Sequence, residues 1–269
     1  MMGNMNEISV GIIGGSGLYT LLDEAQTLDL PTPYGSARVT IGEFAGREVA
    51  FLTRHGADHA SAPHLIRYRA HIWALASLGV RAIVSSSAVG GLSPDLPPGS
   101  FALPDQFIDR TWGRADTFYD EGSVQHLGAA DPFDEHLRSL ARAALPEAAP
   151  TATAVVIQGP RFSTRAESEW FRAAGGDIVN MTMCPEVPLA SELGIGTVNI
   201  SFVTDSDAAV VPDGEEVSAE LVFRRLREAQ PRIVAAIHGI VERIPADFAP
   251  RALIDADAVA EVLARPVVP

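Results

Sequence analysis

Apolar residues in this chain fall into short unbroken runs that alternate with amphipathic stretches of helical spacing. Residues 8–13 form such a run, ending in glycines, which predicts a buried first strand. Residues 38–44 and 48–53 flank Ala45-Gly46-Arg47 and predict a hairpin. Leu65, Tyr68, Ile72, Leu75 and Leu78 recur at helical spacing, and Gly79 follows as a stop signal. Residues 80–85 predict another buried strand, and 101–103 a short one after the proline-rich turn at 94–98. Helices are expected at 132–144, 164–174 and 185–193, and strands at 154–157, 177–180 and 196–203. A long helix is expected over 217–241, kinked or broken at Pro231. One weak helix, 256–263, follows beyond Pro245.

No linker divides the chain, and a hairpin does not fit an all-parallel sheet. The expected fold class is therefore α/β, with a central mixed twisted sheet flanked by helices. Residues 1–245 are expected to form one domain and 246–269 a C-terminal tail with one short helix.

Composition narrows the function. The chain has 269 residues, enough for a full-sized core, and no apolar run of membrane-spanning length. Its first residues show neither a basic nor an apolar signal region, and a single cysteine, Cys184, rules out an intrachain disulfide. A cytoplasmic protein without a membrane partner is expected. The net charge of −14 argues against a nucleic-acid partner. It also means that any anion site must rest on a local cluster of donors. All 20 basic residues are arginine. Without lysine there is no Schiff-base chemistry, no pyridoxal-phosphate anchor and no P-loop lysine.

Several motifs carry chemistry, each with more than one reading. Gly14-Gly15-Ser16-Gly17 follows the first strand directly. Glycines that adopt positive φ and a serine hydroxyl can cradle an anion. A tight turn without a ligand fits as well, while the spacing fails the dinucleotide fingerprint. Arg54-His55 at a strand end offers a guanidinium fork and a shorter donor, or simply a solvated pair. His55, His59 and His64 match no standard zinc spacing, so no metal is expected. The segment Ser85-Ser86-Ser87-Ala88-Val89-Gly90-Gly91 reads as a second anion cradle or as a strand-end turn that needs small residues. Asp205 and Asp207 in Thr204-Asp205-Ser206-Asp207 are an acid pair, an Asx-turn or a D-x-D metal site.

These segments occur in order with Gly159-Pro160-Arg161-Phe162-Ser163, Ala166-Glu167-Ser168, Asn180-Met181-Thr182, Pro185-Glu186-Val187 and Asp105-Gln106-Phe107-Ile108-Asp109-Arg110-Thr111. The ordered set closely resembles the trimeric purine nucleoside phosphorylase family, and most of all its 5′-methylthioadenosine phosphorylase branch. The resemblance spans roughly residues 8–240. It implies that Ser16, Arg54, His55, Ser87, Ala88 and Thr182 line a phosphate. It implies Met181 against the ribose, with Asn180 and Ser163 nearby, and Asp205 and Asp207 at the base. His126 stands where relatives carry a histidine that reaches the 5′ substituent of a neighbouring subunit. Three features depart from the branch. Ser16 and Ser87 stand where threonines are common, Met183-Cys184 replaces a usual Thr-Val pair, and the C-terminal tail matches poorly.

The implied reaction is phosphate attack on C1′ of a purine nucleoside, with Asp205, Asp207 and His55 as catalytic groups. Inorganic phosphate is a co-substrate and no cofactor is implied. An aspartate at the base end suits the 6-amino group of adenine, so methylthioadenosine is the implied substrate and a 6-oxopurine nucleoside the alternative. A homotrimer is implied as well. The rival readings are a nicotinamide-dependent oxidoreductase and a non-catalytic nucleoside-binding protein.

Overall fold

The computed structural model describes residues 8–16, 18, 21–22, 25–56, 59–208 and 218–267. Gly17 and Val217, which belong to segments discussed above, lie outside the described residues.

A ten-stranded mixed sheet organises the chain. Its strands are β1 (Val10–Gly14), β2 (Gln26–Leu30), β3 (Ala37–Phe44), β4 (Arg47–Thr53), β5 (Ala82–Gly91), β6 (Phe101–Ala102), β7 (Gln106–Arg110), β8 (Thr153–Ile157), β9 (Ile178–Asn180) and β10 (Gly196–Ser206). Along the sheet they run β2-β3-β4-β1-β5-β9-β8-β7, and β10 pairs with β5 and β6. The hairpin β3–β4 is antiparallel, whereas β4–β1, β1–β5 and β5–β10 are parallel. Ala45 and Gly46 at the hairpin tip both have positive φ, the geometry that matches strand twist in a two-residue turn.

Alternation along the central strands separates two apolar layers. Val10, Ile12, Val49, Phe51, Ala82 and Val84 pack with α2 (Glu135–Ala144) and α5 (Ala219–Arg243). Ile13, Ala50, Leu52 and Ile83 pack with α1 (Tyr68–Ser77) and α4 (Met183–Glu192). Helix α3 (Arg165–Ala173) begins with a capping box between Thr164 and Glu167. The last helix, α6 (Ala256–Leu263), buries Val262 in the second layer, and the Trp73 indole donates to the Val262 carbonyl at 3.0 Å. Among the described residues, no helix is long and apolar enough to cross a membrane.

Three expectations change. Pro231 lies inside α5 without ending it, because Leu226, Ala229, Ile233, Ala236 and Ile237 bury a continuous stripe on both sides of the missing N–H. The Ser85–Gly91 segment is no terminal turn: β5 runs unbroken through it to Gly91. Strand β10 extends to Ser206, with a bulge that shifts register between Val203 and Asp205.

Candidate active site

The parallel strands β1, β4, β5 and β10 open at their carboxyl ends onto one cavity of about 310 Å³, the usual position for a ligand in such sheets. Ser16 follows β1, and Arg54 and His55 follow β4. Ser87, Ala88, Val89 and Gly90 come from β5, and Thr204 and Asp205 from β10. Asn180, Met181 and Thr182 at the end of β9 close another wall.

At one end of the cavity the donors gather. Gly14 and Gly15 are required by close approach rather than by positive φ. A Cβ on Gly14 would stand 2.5 Å from the Leu18 carbonyl, and one on Gly15 would stand 2.3 Å from that of Ser86. The Gly15 N–H is already committed to Ser86 Oγ at 3.2 Å, which removes one backbone donor from the expected anion cradle. Arg54 is fully buried, and Glu186 of α4 holds it through Nε (2.6 Å) and Nη2 (2.8 Å). Its Nη1 donates to the Ser86 carbonyl at 2.8 Å. Three of the five guanidinium N–H groups are thus used and two remain. The sequence contains Glu186 in a motif, but nothing local signals that it would neutralise an arginine 132 residues earlier. Ser87 Oγ accepts from Asn199 Nδ2 at 2.9 Å, so its own proton stays free to donate.

His55 differs from the expected donor. Its Nδ1 lies 2.9 Å from the Ser61 carbonyl, an obligate acceptor, so Nδ1 carries the hydrogen. Burial, reinforced by the Arg54 charge and His59, lowers its pKa to about 4 despite the Ser61 bond. The ring is therefore neutral at pH 7, and Nε2 is left as an acceptor. The His59 ring lies against it at a tilt, with centroids 4.3 Å apart, and meets Phe223 edge-on at 5.2 Å. Of the three histidines weighed as a metal set, His64 is exposed and lies outside the cavity lining.

The opposite end is acidic. Burial raises the pKa of Asp205 to about 6, with a further push from Asp207, against the opposing Thr204 hydrogen bond (2.7 Å) and the Arg225 charge. Burial likewise raises the pKa of Asp207, and a hydrogen bond from Ser168 of α3 opposes it. The β10 bulge places both carboxylates over Gly90, where a Cβ would stand 3.2 Å from Asp205 Oδ2. Ser163 also lines this cavity close enough to Asp207 to oppose the rise in its pKa, although its buried Oγ makes no hydrogen bond of normal geometry among the described residues.

Met181 lines the same cavity. Asn180 Oδ1 accepts from the Thr182 and Met183 N–H groups, each at 2.7 Å. The Asn180 side-chain amide oxygen thus shapes the turn that presents Met181. Arg114, which the sequence left unmarked, ties that turn to the end of the neighbouring strand β8. It donates to the carbonyls of Met181 (2.9 Å), Cys184 (2.6 Å) and Gln158 (2.8 Å). The remaining wall is largely apolar, with Ala219, Val222 and Phe223 from α5 together with Ile157, Val179 and Phe162. Every site residue expected from the sequence lines this cavity except His126, which is exposed and outside it.

A family model described as the phosphorylase superfamily matches residues 9–244. The S-methyl-5′-thioadenosine phosphorylase of Mycobacterium tuberculosis is 48% identical over 238 residues, covering 87% of this chain and 89% of the relative. The purine nucleoside phosphorylase of Streptomyces coelicolor is 42% identical over 259 residues, covering 91% of this chain and 92% of the relative. Among solved structures, methylthioadenosine phosphorylase from Schistosoma mansoni in complex with adenine superposes with a TM-score of 0.85 at 34% identity. That match covers 95% of this chain and 96% of the other.

Proposed function

The chain belongs to the phosphorylase superfamily, and on that premise we propose that it splits 5′-methylthioadenosine with inorganic phosphate, giving adenine and 5-methylthioribose 1-phosphate. One observation carries the reading: a buried acid with a pKa near 6 shares a single cavity with an arginine-centred set of donors.

Phosphate sits among Ser16, Arg54, His55, Ser87, Ala88 and Thr182 and attacks C1′, while the C1′–N9 electron pair leaves with the purine. Its negative charge stabilises the cationic sugar that develops. Asp205 gives its proton to N7 as the bond breaks, and Asp207, Asn180 and Ser163 support the base and ribose. Adenine offers an amino donor at C6 to the aspartates, whereas the O6 of a 6-oxopurine would meet carboxylate oxygens. Ala219, Val222 and Phe223 form an apolar surface suited to a methylthio group rather than to a charged 5′ substituent.

The reading also includes a homotrimer. Leu65, Trp112, Val124 and Phe162 are exposed, and His126 is free to reach a neighbouring subunit's site. The protein is assigned to the cytoplasm and needs no cofactor beyond phosphate as co-substrate. Light scattering tests the oligomer.

A phosphate-dependent panel of methylthioadenosine, adenosine, inosine and methylthioinosine tests the activity. Methylthioadenosine is expected to be turned over fastest. Faster turnover of inosine would favour the 6-oxopurine reading, which the Streptomyces relative's name represents. Turnover that does not need phosphate would refute phosphorolysis.

A further inference from the structure

Every side-chain hydroxyl and the free guanidinium N–H groups at the phosphate end can donate. His55 Nε2 cannot, because Nδ1 keeps its hydrogen on the Ser61 carbonyl. Nε2 has no partner among the described residues, and the neighbouring Arg54 charge is already paired with Glu186 at 2.6 Å. A phosphate dianion still carries one hydrogen and can donate it to such an acceptor. A sulfate dianion has the same charge and shape class but no hydrogen, so its lone pairs would face that of Nε2.

We propose that His55 Nε2 is a specificity-determining acceptor that admits phosphate through the anion's own O–H and disfavours sulfate. The inference rests on the phosphate site proposed above and deepens it. Sulfate can be seated only if His55 first takes a proton from solvent, which burial and Arg54 oppose. Phosphate brings the required hydrogen with it.

The groups that face His55 are Arg54 beside it, His59 tilted against its ring, His71 from α1, and Glu186 of α4 acting through Arg54. Burial lowers the pKa values of His59 and His71 as well, so all three rings are neutral above pH 8. Asp205 and Asp207 lie at the far end and repel both dianions alike, so the ratio of the two affinities cancels their influence.

Titration calorimetry with inorganic phosphate and with sulfate, without nucleoside, at pH 8 and pH 9 tests the proposal. Phosphate affinity should stay nearly constant. Sulfate, which must recruit one proton, should weaken about tenfold over that unit. In His55→Gln, whose amide both donates and accepts, the preference should fall to within about threefold and lose its pH slope. A wild-type ratio that is flat between pH 8 and pH 9 overturns the inference. So does a ratio unchanged in a His55→Gln variant that melts like wild type. If that variant does not fold, the wild-type slope decides. Because no nucleoside is present, a wrong purine or 5′ assignment leaves this result intact, whereas failure to bind phosphate would sink both readings.

Discussion

Replacing Asp205 with asparagine should make the protein more stable and less active at the same time. Asp205 is 4% exposed, and its pKa rises from 3.8 to about 6, chiefly through burial. At 1.36 kcal/mol per pH unit, holding it ionised in the fold costs about 3 kcal/mol. A carboxyl whose folded pKa lies above its unfolded value adds stability that is complete below about 3.8 and is lost as pH rises through about 6. Asparagine keeps the shape and accepts the Thr204 hydroxyl but has no charge to bury. Denaturant titrations should therefore show Asp205→Asn gaining up to about 3 kcal/mol at pH 8, and roughly half of that at pH 5. The same change removes the proton offered to N7, so kcat/KM for methylthioadenosine should fall by about 100-fold or more. In the wild type, that ratio should decline above about pH 6 as Asp205 loses its proton, and the variant should lack this limb. An asparagine variant less stable than wild type at pH 8 would refute the burial argument. Undiminished turnover would remove Asp205 as the acid.

Glu186→Ala leaves the Arg54 guanidinium buried without a countercharge and should cost about 3–5 kcal/mol in chemical denaturation, with a raised KM for phosphate. A loss below about 1 kcal/mol would show that Arg54 has another partner. Arg114→Ala frees the Met181 and Cys184 carbonyls, and misplacing Met181 should lower kcat/KM for the nucleoside by about 100-fold, read from steady-state kinetics. Gly15→Ala forces a Cβ into the Ser86 carbonyl and should cost about 1–3 kcal/mol while weakening phosphate binding, measured by melting and calorimetry.

Periodicity made most of the interior legible and the edges illegible, for one physical reason. The central strands are buried on both faces, so β1, β4 and β5 read as apolar runs. The two strands absent from the sequence reading, β2 and β7, are the ends of the main strand path. No residue of Gln26–Leu30 or Gln106–Arg110 is fully buried, and each segment holds only two apolar residues, Leu28 and Leu30 or Phe107 and Ile108, too few to stand out as a strand. Asp205 and Asp207 were visible because two carboxylates at the end of an apolar strand contradict burial unless they have a use. The bulge that aims them left no such mark. It follows from the pairing of β10 with β5, two strands more than 100 residues apart in the chain.

Long-range electrostatics hid the rest. An Arg-His dipeptide after a strand suggests two donors to an anion. The fold turns it into a charge-paired arginine and an acceptor histidine, because Glu186 and the Ser61 carbonyl take the groups that would otherwise point outward. This resolves the tension between a net charge of −14 and an anionic substrate. The site need not gather excess positive charge against an acidic background. Directional hydrogen bonds from serine, threonine and guanidinium groups can hold the anion, and an acceptor matched to its hydrogen can select it. Selectivity built on the hydrogen-bond pattern is also less sensitive to ionic strength than selectivity built on net charge, since buried donors and acceptors are screened little.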